Sequence, residues 1–444
     1  MQQYRVKTSG AMARMAASMF ALGAAALLCG AAAPAADSPT RADRVLFSGA
    51  DGDIGALQAA LPHLADPIVA TLARLEIAAA RLDEAAVRRE IAAYDALHDH
   101  DPARLALAAS IDAGAAFARG DYARAERASR AWLALLDRDD PHHDRQDAAQ
   151  VHAVAALLAR TPAIGVTGKG RRIATTRDAA DLLRGQVVIN GVAQQAVLDT
   201  GANLPVVSAS LAKKLRIRMI DGDASVGSSS RNAVAVRIGV ADRMRFAGFV
   251  FRNVPFLVLD DSQLALPVGG GYRIDAIIGF PVFRAIGSVT FGEGFLAPGP
   301  ALPSGPRNLT AAGNDLFVTV GIGRFSAPLH LDTGAKASSL STIFAERHPE
   351  ALRGLERSSS RSAGAGGATT QTVAHWRNAP ITLAGARMTL ADLPIVTAGS
   401  EDVSDSTMGT LGQDVLKRFA AYTVDFDTMR FAVRDAPGPR PVSP

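Results

Sequence analysis

The sequence predicts a multidomain, mainly β chain in which one β-rich unit is used twice, preceded by an all-α helical-hairpin domain. Three observations predict it. The pentapeptide LDTGA occurs at Leu198–Ala202 and again at Leu331–Ala335, about 133 residues later. About 80 residues after each copy stands an apolar step ending in glycine, Ile277-Ile278-Gly279 and Thr410-Leu411-Gly412. Between about residue 53 and 160 the apolar residues instead recur at helical spacing.

The chain has 444 residues, 48% of them apolar, enough for two or three domains with real cores. Residues 1–36 read as a secretory signal peptide. Arg5, Lys7 and Arg14 precede an uncharged run from Met15 to Gly30, and Ala33-Pro34-Ala35-Ala36 supplies small residues for cleavage. This places the protein in the periplasm or outside the cell. The run is too short and too Ala-rich to span a membrane comfortably, so no stable span is expected after leader removal. Lipidation at Cys29 is the lesser reading, because Leu28 stands where a small residue is wanted. Cys29 is the single cysteine, so a mature chain beginning near Asp37 has no disulfide, thiol nucleophile or cysteine-ligated metal. Without the leader's three cations the net charge of +4 falls to about +1. Scattered arginines without interleaved aromatics also argue against nucleic acid as a partner.

Residues 37–160 form the helical domain. Ile68, Leu72, Leu75 and Leu82 share one stripe, Leu105, Ala108 and Ile111 another, and Trp132, Leu135 and Leu136 a third. Five or six helices, hence two or three hairpins, fit the length. The turn at Gly120 with Tyr122 packing back resembles a tetratricopeptide-type repeat. Such an array either binds a protein partner on its concave face or covers and holds the rest of the chain. His142 and His143, near Asp139, Asp140 and Asp144, sit in a polar, Pro-containing turn and read as a solvated loop, so no metal is expected. Residues 161–175 read as a linker; Gly168-Lys169-Gly170 lacks the glycine spacing and the hydroxyl residue of a phosphate loop.

The first β unit spans 176–291, a Pro/Gly-rich linker 292–306, the second unit 307–436 and a tail 437–444. In the first, Val187-Val188-Ile189-Asn190-Gly191 and Ala196-Val197-Leu198-Asp199 read as a hairpin running into the motif. Each glycine step is followed by a helix-like stretch, Phe280–Ile286 and Gln413–Phe419. An alternating strand then follows, with Tyr422, Val424 and Phe426 on one face and Met429, Phe431 and Val433 beyond the Asp427-Thr428 turn.

Taken together, residues 171–435 resemble the pepsin/retropepsin clan of aspartic peptidases, in the form of a bacterial single chain with two retropepsin-like lobes. The resemblance implies two pepsin-type β-barrel lobes and an endopeptidase that acts on peptide or protein substrates without a cofactor. Asp199 and Asp332 would be the catalytic pair, because two adjacent carboxyls cannot both ionise and so provide one acid and one base. Thr200 and Thr333 would hydrogen-bond across the lobe interface, and Gly201 and Gly334 would let backbone amides approach the carboxylates. Ile278, Gly279, Leu411 and Gly412 would form the threaded psi loops. Ala202 and Ala335 stand where pepsins carry Ser or Thr, which implies a dyad that titrates higher and works nearer neutral pH. Flap candidates are Ser225–Arg237, with Gly227, and Ala363–His375, with Gly364, Gly366 and Gly367; neither contains the tyrosine of pepsins. Trp376 reads as core packing more than as a subsite wall. The alternative function is a peptide-binding or scaffolding protein that keeps the fold without turnover.

Overall fold

The computed structural model describes residues 46–47, 50–137, 144–227, 233–266, 272–364, 367–398 and 406–435. The leader with Cys29, the turn with His142 and His143, Gly366 and the tail at 437–444 lie outside these residues.

The chain first builds helices: α1 (Gly55–Ala60), α2 (Pro67–Ala80), α3 (Glu84–Asp95), α4 (Pro102–Arg119), α5 (Tyr122–Leu135) and α6 (Asp144–Leu158). Four of them start on an aspartate. Asp66, Asp83, Asp101 and Asp121 each accept from first-turn amides, and proline follows at the first position of α2 and α4. Gly120 ends α4 in the left-handed conformation with φ 79°, where glycine pays no Cβ penalty. Beyond it, Tyr122 returns edge-on to Phe117 at 5.4 Å. Helix α2 packs on α3, α4 on α5 and α5 on α6. Among the described residues no helix is long and apolar enough to cross a membrane.

Two large sheets follow, of 13 and 8 strands, and a third of only two, among the described residues. The same chain path occurs in both. Strand Leu183–Ile189 turns through Asn190 and Gly191, φ 47° and 88°, into Val192–Leu198. That strand pairs in parallel with Ala276–Ile278, with Leu198 opposite Ile278. In the second sheet Asp315–Ile322 pairs with Phe325–Leu331, which runs parallel to Gly409–Leu411, with Leu331 opposite Leu411. Helices Phe280–Ile286 and Gln413–Leu416 come next. The second is shorter than its sequence suggests, because strand Phe419–Asp425 already begins at Phe419.

The closing strands of the two units meet. Ser288–Gly292 pairs antiparallel with Phe419–Asp425, and at the centre Thr290 Oγ1 lies 2.8 Å from Thr423 Oγ1. These threonines are 133 residues apart, the separation of Thr200 and Thr333. Equivalent residues therefore face each other about a local two-fold relation. Phe291 stacks on Tyr422, and Tyr422 on Phe431, beneath this junction.

Both stretches read as linkers contain strands. Within 161–175, Gly165–Gly168 pairs with Phe249–Arg252 and Ile173–Arg177 begins the first sheet. Within 292–306, Phe295–Gly299 pairs back on Ser288–Gly292, with Gly294 at φ 70° in the turn and Leu296 fully buried. Glycine and proline here mark a tight turn and a strand edge rather than an open connection.

The helical region and the first sheet share one buried cluster. Val151, Val154 and Leu158 of α6 belong to it together with Val226, Val234 and Val236. These last three lie on the hairpin Arg218–Gly227 and Ala233–Phe246, within its tip Ser225–Arg237, the first flap candidate. Leu157 approaches so closely that a Cβ on Gly222 would stand 2.7 Å from its Cδ2. Each fully buried aliphatic side chain here contributes roughly 1.5–3 kcal/mol, so α6 holds that hairpin firmly.

Candidate active site

The two LDTGA loops come together at the ends of equivalent strands. Apolar strands Val192–Leu198 and Phe325–Leu331 carry the motifs in, and Leu198 and Leu331 are buried. The threaded segments fix the next residue: Asp199 N–H donates to the Ile278 carbonyl at 3.0 Å and Asp332 N–H to that of Leu411 at 3.1 Å. Beyond each glycine the chain is tied down again, by Phe280 N–H to the Ala202 carbonyl and Gln413 N–H to that of Ala335. Ile278, Gly279, Leu411 and Gly412 therefore stand directly beside the motif loops.

Reciprocal threonines join the loops. Thr200 N–H donates to Thr333 Oγ1 at 2.9 Å, and Thr333 N–H to Thr200 Oγ1 at 3.2 Å. Each hydroxyl then donates across the junction, Thr200 to the Leu331 carbonyl at 2.6 Å and Thr333 to the Leu198 carbonyl at 2.8 Å. Both threonines are fully buried. Four hydrogen bonds in low-dielectric surroundings make the relative position of the loops stiff.

The carboxyls are buried too, with 2% of Asp199 and 1% of Asp332 exposed. The charge of Asp332 acts on the Asp199 carboxyl. Gly201 N–H donates to Asp199 Oδ1 at 3.0 Å and Gly334 N–H to Asp332 Oδ1 at 2.8 Å. Asp332 Oδ2 is a buried oxygen with no hydrogen-bond partner among the described residues. The Asp199 carboxyl is held well above the usual carboxylate range, first by burial and then by the Asp332 charge, against the opposing pull of the Gly201 amide. A pair of this kind retains one proton between its two members at pH values where isolated aspartates have lost theirs.

Gly201 is required for space rather than for its backbone angles. A Cβ there would lie 2.9 Å from both Asp332 Cγ and His330 Cε1. Gly279 is extended, with φ −112° and ψ −175°, and a Cβ on it would meet the Ala202 carbonyl oxygen at 2.4 Å. Both glycines thus mark a close approach of packed chains.

Some neighbours of the site escape sequence reasoning. Buried His330 faces Asp315, with Nε2 to Oδ1 at 3.2 Å, two residues before Asp332. Its only sequence signal is the departure of the second copy from the first, which has Val197 in that place. Gln413 donates through Nε2 to the Thr333 carbonyl at 2.7 Å and accepts from Arg177 at 3.1 Å. Ser338 accepts from Gly412 N–H at 2.9 Å and donates to Asp414 at 2.7 Å. Nothing in the first copy marks these second-copy polar contacts, since Phe280 and Pro205 occupy the matching positions.

Hairpins occur at both flap positions. Gly227 ends one strand of the first, and Gly364 and Gly367 face each other at the end of the second, Glu356–Gly364 with Gly367–Leu383. Trp376 lies farther along the second hairpin, edge-on to Phe325 at 6.1 Å, in an aromatic group with Phe344 and His348. It packs against the core.

Residues 185–282 match a family model described as aspartyl protease. That stretch is similar to aspartyl proteases. It includes the first LDTGA and the Ile277-Ile278-Gly279 step, while the second copy lies outside it. No curated protein matches the chain. Among solved structures, a retropepsin-like aspartic protease from Rickettsia conorii is similar at 14% identity and a TM-score of 0.21. The match covers 31% of this chain and 94% of that one.

Proposed function

We propose that the chain is an exported aspartic endopeptidase with two retropepsin-like lobes, in which Asp199 and Asp332 activate one water between them. The observation that carries this reading is the reciprocal Thr200–Thr333 network, which holds two buried carboxyls whose charges act on each other in matched surroundings. The aspartyl protease match over 185–282 supports the chemistry. Export rests on the composition of residues 1–36 alone.

The reaction needs no group outside the chain. Asp199 holds the shared proton, as its burial and its charged neighbour favour. Asp332 takes a proton from water as the water oxygen attacks the peptide carbonyl carbon, while Asp199 gives its proton to the carbonyl oxygen. A neutral tetrahedral diol results. Collapse breaks the C–N bond, and the proton on Asp332 passes to the departing nitrogen while Asp199 recovers one from the diol. Gly201 and Gly334 amides keep Oδ1 of each carboxyl fixed, so no reorganisation accompanies the charge movement.

Substrate would lie between the lobes beneath the hairpins that carry Gly227 and Gly364. We read the helical region as a permanent part of the enzyme. Its α6 shares a core with the first hairpin, so that hairpin is held while the second closes. The near-complete burial of both carboxyls favours the second reading, a peptide-binding protein without turnover, to the extent that substrate must displace what covers them.

A mixed peptide library separates the two. The enzyme cuts internal peptide bonds, and a peptide isostere bearing a hydroxyl in place of the scissile carbonyl stops it, because the hydroxyl takes the place of the water between the carboxyls. Binding of library peptides without new termini would favour the scaffolding reading.

A further inference from the structure

Apart from the aspartates, three side chains of the second β unit form a relay across adjacent strands. Ser358 lies on strand Glu356–Gly364, His375 on Gly367–Leu383 and Asp392 on Ala386–Ala398, which pair side by side in that order. In the register Ser358 stands opposite Val373, two residues before His375, and Asp392 stands opposite Arg377, two residues after it. Side chains two apart on a strand share a face, and so do directly opposed ones, so all three project from one side of the sheet. Ser358 Oγ lies 2.7 Å from His375 Nε2, and His375 Nδ1 lies 2.9 Å from Asp392 Oδ2.

These contacts assign the roles of the ring nitrogens. A carboxylate only accepts, so Nδ1 carries its proton toward Asp392 and leaves the Nε2 lone pair for the Ser358 hydroxyl, which donates to it. Arg377 also holds Asp392 Oδ2, at 3.1 Å, and Glu356 stands opposite His375 in the register. The ring is 18% exposed, while Ser358 is open to solvent. A hydroxyl facing an imidazole that a carboxylate orients is the arrangement that makes serine a nucleophile. The backbone supplies a further part. Strand Glu356–Gly364 is the last of its sheet and pairs only with Gly367–Leu383. Every second amide on it faces away from the sheet, so one of two consecutive N–H groups, at Ser358 or Ser359, is open beside Oγ. Such an amide can donate to an oxyanion formed on Ser358. Of the consecutive serines 358–360, only the first faces a histidine among the described residues.

We infer that Ser358 is the nucleophile of a second hydrolytic site acting on small carboxylic esters, with His375 as its base and Asp392 positioning His375. Ser358 Oγ bonds to the ester carbonyl carbon and its proton passes to His375 Nε2. The C–O bond to the alcohol breaks, and the leaving oxygen takes that proton. Water then attacks the acyl carbon and gives a proton to His375, and the bond to Oγ breaks as Oγ takes the proton back. Ester and water become acid and alcohol. Half-buried Pro394, opposite His375, is the apolar contact beside the relay, which suits a small acyl group. An ester fits better than a peptide bond, because an alkoxide leaves more readily than an amine and a solvated site gives the departing group little help. This assignment is independent of whether the aspartates turn over substrate.

The test is labelling of the full chain with an alkyl fluorophosphonate, located by peptide mass, alongside hydrolysis of p-nitrophenyl acetate. Ser358 should take one phosphonyl group per chain, at least about 10²-fold faster than Ser359 or Ser360, the advantage that a positioned base gives. His375→Gln should lose that factor in labelling and in ester hydrolysis, and Ser358→Ala should lose both outright. Ser358 is exposed, so its alanine variant reports even where His375→Gln fails to fold. Asp392→Asn should slow labelling and move its pH profile, which a purely structural role would not do. Absence of label at Ser358, label spread evenly over the three serines, or a rate at Ser358 that folded His375→Gln leaves unchanged overturns the assignment. Ester turnover that Ser358→Ala leaves intact overturns the hydrolase.

Discussion

Asp199→Asn and Asp332→Asn each reduce kcat/KM for peptide cleavage by a factor on the order of 10²–10⁴ or more, since either one removes a proton carrier from both steps. The losses should not add in the double variant, because the two carboxyls act as one unit. Steady-state rates on one good library substrate check this; a single variant that kept near-full activity would rule out the shared site. The stability change has the opposite sign. Asp199 in the folded chain is raised above its unfolded value, so the protonated form is the one favoured by folding. Its contribution is fully present below about pH 4, the unfolded pKa, and is lost as pH rises through the folded one. Asparagine is neutral throughout. Asp199→Asn should therefore unfold at a higher temperature than the parent at pH 7, with the gap closing toward pH 4 in scanning calorimetry. The raised Asp199 carboxyl also carries the alkaline limb of the rate profile to higher pH, in line with work nearer neutrality than pepsins.

The second large effect lies at the threonines. Thr200→Val removes a hydroxyl that accepts from Thr333 N–H and donates to the Leu331 carbonyl, and Thr333→Val does the same in reverse. Each leaves two buried groups without partners, at roughly 1–3 kcal/mol apiece. Urea unfolding at unchanged m value should show a loss of that order for each variant. Thr200→Ser restores the hydroxyl and should recover most of it. Activity should fall with stability in the valine variants, because the loops that hold Asp199 and Asp332 are joined through these side chains.

Motif spacing made the site legible for a physical reason: a close approach of two chains tolerates few residues. A side chain on Gly201 would strike Asp332, and one on Gly279 would strike the Ala202 carbonyl, so the pattern is written locally and repeated after 133 residues. The hairpin through Asn190 and Gly191 was legible for the same reason, through its positive φ angles. The strands at 165–168 and 295–299 were not, because Gly-rich and Pro-containing segments at a sheet edge have the composition of linkers. Nor does sequence spacing show that α6 grips the hairpin at Gly222. Leu157 reads as one more residue of an apolar stripe, and its partner lies far along the chain. His330 was missed because histidine in an apolar strand announces nothing until Asp315 is seen beside it.

The account rests on one chain supplying both carboxyls of one site. Tight-binding titration of the cleavage rate with the hydroxyl-bearing peptide isostere measures this directly. One equivalent per chain should abolish cleavage, with no change on dilution. Complete inhibition at half an equivalent would place each site between two chains, and failure of the isostere to inhibit at all would contradict a water held between Asp199 and Asp332.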